Sequence, residues 1–161
     1  MRWKEFSRSE PELASACRGL MYQYGVGLAF LATVRADGGP RVHPMCPLIS
    51  ESGLFAFLIP SPKRADLLRD GRYAMHSFAA EANEDAFSLT GTARPVEDGR
   101  LRTTLEGQFA QERGLDGPPP GMDEQMLFEF DIEGCLYTKT AGHGDPAPQH
   151  TVWRAALGTR D

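Results

Sequence analysis

The chain has 161 residues, 41% of them hydrophobic and 24% charged, the profile of a folded soluble domain rather than a disordered one. A formal net charge of -5 argues against a general binder of nucleic acid or of anionic membrane, since such surfaces carry the opposite sign. Seventeen glycines and twelve prolines, about half as many again as an average chain carries, favour short elements and tight turns over a helical bundle. Cys17, Cys46 and Cys135 form no CxxC pair, and an odd set without a disulfide framework points to a reducing compartment. The polar, mixed-charge start has no signal-peptide core. The longest apolar run, Val26 to Val34, is far short of the roughly 20 residues a membrane span takes. A single cytoplasmic domain over residues 1–161 is expected.

In chain order, Ser9-Glu10-Pro11-Glu12 reads as a capping box that opens a helical segment over 9–24, with Leu13, Cys17, Leu20 and Met21 on its apolar face. Leu28 to Ala36 is a dense apolar strand ending at the turn Asp37-Gly38-Gly39-Pro40. Arg41 to Ile49 is a second strand broken by Pro44 and Pro47, and Leu54 to Ile59 a third. These connections are too short for parallel crossovers, so the strands form an antiparallel meander. Ser61-Pro62 opens a short helix to about Arg69. Arg72 to Phe78 and Ala86 to Val96 are the fourth and fifth strands, and Glu97 to Arg113 a longer helix with Leu101, Leu105 and Phe109 on one face. After the proline-rich loop 114–123 come strands at Met126 to Ile132 and Leu136 to Thr140, with a last segment at His150 to Arg154. Six or seven antiparallel strands with peripheral helices make a mainly β protein, expected as a small closed barrel over about 26–154 that leaves no exposed sheet edge.

The most informative motif is Ser61-Pro62-Lys63-Arg64. A helix N-terminus carries partial positive charge, so acids are expected there and two cations are not. Open amides, a serine hydroxyl, a lysine and an arginine together make a site for phosphate; the plainer reading is a solvated basic turn. Alternation places Arg41 and His43 on one face of their strand, Arg41 available to a phosphate or to an acid on a neighbouring strand. His76 and Ser77 are a polar pair in an apolar strand, needing partners in backbone or in a ligand. Trp153-Arg154 offers an aromatic face and a cation, or a tryptophan that closes the core. His143 and His150 flank Asp145 without metal-ligand spacing, and no metal is expected. Neither GxSxG, GxGxxG nor GxxxxGK[ST] occurs.

Taken in order, these segments resemble a known family. Phe30 through Pro44, with its Asp37-Gly38-Gly39-Pro40 turn, is similar to the opening hairpin of the pyridoxamine 5'-phosphate oxidase-related FMN-binding split-barrel proteins. Ser61-Pro62-Lys63-Arg64 with Leu67-Leu68-Arg69-Asp70 resembles the family's phosphate-binding helix start, and Arg72 to His76 and Phe87 to Ala93 its next strands. The resemblance implies a mainly β, six- to seven-stranded antiparallel split β-barrel that forms a homodimer, with FMN at the interface and a small-molecule substrate. It implies that Lys63 and Arg64 hold the FMN phosphate, helped by Ser61 and Arg41. Arg41, Val42, His43 and Pro44 then border the flavin ring, His76 and Ser77 come near the ring or ribityl chain, and Trp153 approaches from the partner subunit. The implied activity is flavin-mediated hydride or electron transfer. Pyridoxamine-phosphate oxidation itself is not expected, because the arginine-rich C-terminal substrate motif is missing after Trp153-Arg154. Related proteins on the same barrel use a deazaflavin coenzyme or bind haem, so a deazaflavin-dependent reductase and a non-catalytic flavin or haem binder are the alternatives.

Overall fold

In the computed structural model, which describes residues 1–156, the chain begins with a helix that the sequence pattern does not announce. Helix α1 (Trp3–Ser9) forms because Trp3 and Phe6, three residues apart, share one face and are buried. Its capping pair is Arg2 and Glu5, the Arg2 backbone N–H donating to the Glu5 carboxylate at 3.2 Å. Ser9 therefore ends α1 and does not cap the next helix; its hydroxyl donates back to the Phe6 carbonyl. The break is set by Pro11, which has no N–H to continue a helix and holds Glu10 at φ -130° and ψ 62°. Helix α2 (Pro11–Met21) then buries Leu13, Ala14, Cys17 and Met21 against the sheet.

Eight antiparallel strands follow, in place of the six or seven expected: β1 (Ala29–Val34), β2 (Pro40–Met45), β3 (Leu48–Ile49), β4 (Leu54–Leu58), β5 (Arg72–Ser77), β6 (Ala86–Pro95), β7 (Met126–Lys139) and β8 (Gln149–Arg154). Helices α3 (Pro62–Arg69) and α4 (Gly99–Glu112) complete the chain, α4 capped by the Asp98 carboxylate on the Arg100 and Leu101 amides. Residues 40–49 make two strands because Cys46-Pro47 interrupts them. Residues 126–139 make one strand, because Glu133 is absorbed as a bulge where Thr90 faces Gly134 and Gly91 faces Ile132. Gly91 is required there: a Cβ would lie 1.9 Å from the Asp131 carbonyl oxygen.

The hydrogen-bonded order is β2-β1-β5-β6-β7-β4-β3, with β8 also on β7. The outer edge of β7 is shared: its first residues pair with β4, its last with β8, and between them Ile132 exchanges backbone hydrogen bonds with Met1. Among the described residues the ladder does not close. Strands β2 and β3 stand at its two ends and are joined covalently by Cys46-Pro47, so the barrel is split, where full closure was the expectation from pattern. Tyr22 pins the joint, accepting the Ile49 N–H at 2.9 Å with the Pro47 carbonyl and Glu112 carboxylate within reach of its own hydrogen. Burial raises the Tyr22 pKa to about 12, keeping this pin neutral.

The core has two compartments. Phe6, Leu31, Met75, Phe87, Phe128 and Phe130 fill the barrel under α1 and α2. Leu48, Phe55, Phe57, Leu105, Met122 and Leu127 pack under α4 on the other side of the sheet. Strand β4 serves both, Leu54, Ala56 and Leu58 facing one and Phe55 and Phe57 the other, which is why it reads as a continuous apolar run. Among the described residues no helix is long and apolar enough to cross a membrane.

Candidate functional site

The start of α3 is chemically unfinished. Ser61 takes the N-cap position, but its hydroxyl donates to the Ile59 carbonyl at 2.9 Å and caps nothing. The first intrahelical bond runs from the Ala65 amide to the Ser61 carbonyl, so the Lys63 and Arg64 amides point outward with no partner among the described residues. The first turn holds no acid. Lys63 Nζ donates to the Pro44 carbonyl at 3.1 Å, and Arg64 Nη1 to the Leu58 and Glu124 carbonyls at 3.4 and 3.1 Å. Carbonyls accept hydrogen bonds without neutralising charge, and among the described residues neither cation has a carboxylate within 4.0 Å, the reach of an ion pair. Burial lowers the Lys63 pKa below its ordinary value, with Cys46 acting in the opposite direction. A phosphate here would satisfy two amides and neutralise two cations that no carboxylate among the described residues neutralises.

Along the seam between β2 and α3 lies a second group. Arg41 Nε donates to Asp66 Oδ2 at 2.7 Å, so the arginine does pair with an acid, one that comes from the helix rather than from a neighbouring strand. Asp66 is 3% exposed and also accepts from Thr33 Oγ1 at 2.9 Å and Arg69 Nη1 at 3.2 Å. Burial alone would raise its pKa; the hydrogen bonds from Arg41, Thr33 and Arg69 outweigh that and hold the carboxyl below its ordinary range. Arg41 and Thr33 stand directly opposite across β1 and β2. His43 lies on the same face of β2, with its Nε2 buried and without a hydrogen-bond partner among the described residues.

The structure brings together Arg41, Pro44, Ser61, Lys63 and Arg64, with His43 alongside, and it separates the other expected site residues from them. Val42, Pro44 and His76 face outward from the sheet. Pro44, Phe30, His76, Ser88, Leu136 and Val152 form one row, each opposite the next, across six strands. Phe30, Val42, Leu136 and Val152 give this outer face large exposed apolar groups. Beside it, a cleft of about 380 Å³ runs along β6, β7 and β8 between Ser88, Thr90, Leu136 and Arg154. Ser77 points the other way: it is buried, and its hydroxyl accepts the Phe87 amide at 3.1 Å. Trp153 closes the barrel core, its ring edge-on to Phe6 with centroids 5.0 Å apart. His143 and His150 bond separately, to the Glu81 carbonyl and the Thr138 hydroxyl, and among the described residues no three metal-ligating side chains cluster. The loop 114–123 has a structural task, Met122 sitting in the second core while Arg102 donates to the Met122 and Gln125 carbonyls. Asp66 and Thr33 carry no signal as site residues in the sequence: an acid three positions after Lys63 has the spacing of a solvated helix pair, and only the docking of α3 buries it.

No protein-family model and no curated protein matches the chain. Solved structures do. A protein related to general stress protein 26, of the pyridoxinephosphate oxidase family, from Clostridium acetobutylicum, is 15% identical, with a TM-score of 0.60 over 94% of this chain and 95% of that one. HutZ, a haem storage protein from Vibrio cholerae, is 20% identical, with a TM-score of 0.59 over 83% and 92%. An F420 reductase is 18% identical, with a TM-score of 0.57 over 73% and 94%. At such identities the likeness is one of fold, and it agrees with the ladder order and the covalent joint between its ends: the chain has a split β-barrel fold, as these structures do.

Proposed function

We propose that the protein is an FMN-binding oxidoreductase that works as a homodimer. The observation that carries this reading is the α3 start, where Lys63 and Arg64 follow one another in the first turn with no carboxylate paired to either among the described residues, and Arg41 is held by Asp66 one turn further along the helix. These donors fit a terminal phosphate. FMN, when bound, supplies hydride or electron transfer to or from a small molecule. The chain's part is to anchor the phosphate at Lys63 and Arg64 and to set Val42 and Pro44, on the outer face of β2, beside the rest of the bound group. The outer sheet face, apolar at Phe30, Val42, Leu136 and Val152, is the surface we assign to the second copy.

The test is titration of purified protein with FMN and with riboflavin, followed by flavin fluorescence, together with the absorption spectrum of the protein as isolated. FMN is expected to bind at least tenfold more tightly than riboflavin, and Lys63→Ala with Arg64→Ala to remove that preference, since each charge-assisted bond is worth about 1.5–3 kcal/mol. A colourless protein that takes up no added FMN overturns the reading. Bleaching of bound flavin by a nicotinamide donor separates an enzyme from a carrier.

One observation favours haem as a second reading. His76 stands in the middle of the outer row with its Nδ1 2.7 Å from the Ser77 carbonyl, an arrangement that leaves Nε2 open as a ligand. Under this reading added haem gives a Soret band that His76→Ala shifts or abolishes; under the FMN reading that variant still takes up FMN.

A further inference from the structure

We infer that Asp66 is the positioning residue of this anion site, holding Arg41 by its Nε so that both Nη nitrogens are left for the ligand; the inference rests on the phosphate reading above. A guanidinium has five N–H donors in a fixed plane, so a carboxylate on Nε orients the whole fork. Among the described residues the Arg41 side chain has only that one hydrogen bond, and its two Nη groups have none. Asp66 is itself fixed. Thr33 Oγ1 and Arg41 Nε both bind Oδ2, and Arg69 Nη1 binds Oδ1, so the carboxylate cannot rotate without losing a partner. Thr33 comes from β1, Arg41 from β2 and Asp66 from α3, which locks the helix to the two strands beside it. Lys63 and Asp66 are three apart and face the same strand, Lys63 reaching the Pro44 carbonyl and Asp66 reaching Arg41. Asp66 thus sets Arg41, while Lys63 is set by the Pro44 carbonyl on the same strand.

A simple charge argument and this one predict opposite signs. Asp66 is negative, so by charge alone its removal tightens the binding of a phosphate. If it positions Arg41, its removal weakens that binding, because the guanidinium is released to other rotamers and its charge is no longer aimed. The experiment measures FMN and riboflavin dissociation constants for the wild-type protein, Asp66→Asn, Thr33→Val, Arg41→Ala and the Asp66→Asn/Arg41→Ala pair, with circular dichroism as the check on folding. Asp66→Asn is expected to weaken FMN about tenfold and leave riboflavin within about twofold, since a charge-assisted hydrogen bond to the phosphate is what is lost. In the paired variant the losses are expected not to add, as for two residues acting through one contact. Arg41→Lys, which keeps the charge but not the fork, is expected not to restore affinity. Thr33→Val removes one bond to Asp66 without changing charge and carries the same expectation in smaller size, which keeps the question open to test if Asp66→Asn does not fold. Asp66→Asn or Thr33→Val binding FMN as tightly as wild type, or more tightly, overturns the positioning role. A wild-type protein with no preference for FMN over riboflavin overturns the phosphate reading instead, so the two failures are distinct.

Discussion

Lys63 holds a half-buried charge whose one hydrogen-bond acceptor among the described residues is a carbonyl oxygen, and that makes its charge sensitive to what binds beside it. Burial lowers its pKa in the free protein, while a phosphate alongside would raise it again. FMN affinity is therefore expected to fall as pH rises through the lowered Lys63 pKa, below the ordinary 10.5, while riboflavin affinity stays flat. Lys63→Arg should flatten the FMN profile as well, because arginine stays charged throughout; parallel profiles for the two ligands would count against Lys63 as a phosphate group. Asp66 has the opposite linkage. Its folded pKa lies below its ordinary 3.8, so its hydrogen bonds contribute stability that is present above that value and is lost as pH falls through the lowered one. Urea unfolding at falling acid pH is expected to show this loss in the wild-type protein and less of it in Asp66→Asn. At this scale the sequence was informative about cations and silent about their partners. Lys63 and Arg64 stand out because acids belong at a helix start. The partnership of Arg41 with Asp66 spans 25 residues, and local spacing has no access to it.

Elements were legible where turn chemistry marked their ends. Asp37-Gly38 forms the β1–β2 turn, with Gly38 at φ +83° and the Asp37 carboxylate accepting the Gly39 amide at 2.9 Å, and Pro62 starts α3. Helix α1 was not legible. Two buried aromatics among charged residues give it no periodic stripe, and its stability comes from Phe6 meeting Trp153 across the barrel mouth. Phe6→Ala is accordingly expected to cost about 3–5 kcal/mol in chemical denaturation, the range for an aromatic removed from a packed core; a loss under about 1 kcal/mol would mean that α1 lies loosely on the surface. Strand β7 was read as two, Met126 to Ile132 and Leu136 to Thr140, and the bulge opposite Thr90 and Gly91 carries the strand through instead. That outcome depends on Gly91, a residue on another strand forty positions earlier, so no window on β7 alone contains it.

For the molecule as a whole, the architecture assigns different duties to the two faces of the sheet. The inner face holds α1, α2 and the barrel core, and the outer face presents Phe30, Val42, Leu136 and Val152 to solvent. As a dimer surface, it should be broken by Val152→Asp: sedimentation is expected to report a monomer with weakened FMN binding, while a Val152→Asp protein that stays dimeric would place the interface elsewhere. Fold class was legible because patterning and turn residues report strand number and sequence neighbours. The split came from the family resemblance and not from patterning, because it depends on which strands end the ladder, and β2 and β3 are adjacent in sequence yet lie at its opposite ends. The sharing of β7 among β4, β6 and β8 has a consequence for the order of synthesis. Strand β4, apolar at all five positions, follows its short partner β3 directly but is made long before β7, and at about 5–20 residues per second the wait for β7 is roughly 3–14 seconds. During that interval the edge of Leu54-Phe55-Ala56-Phe57-Leu58 that β7 later covers stays open on the nascent chain, an apolar strand edge of the type on which chains associate.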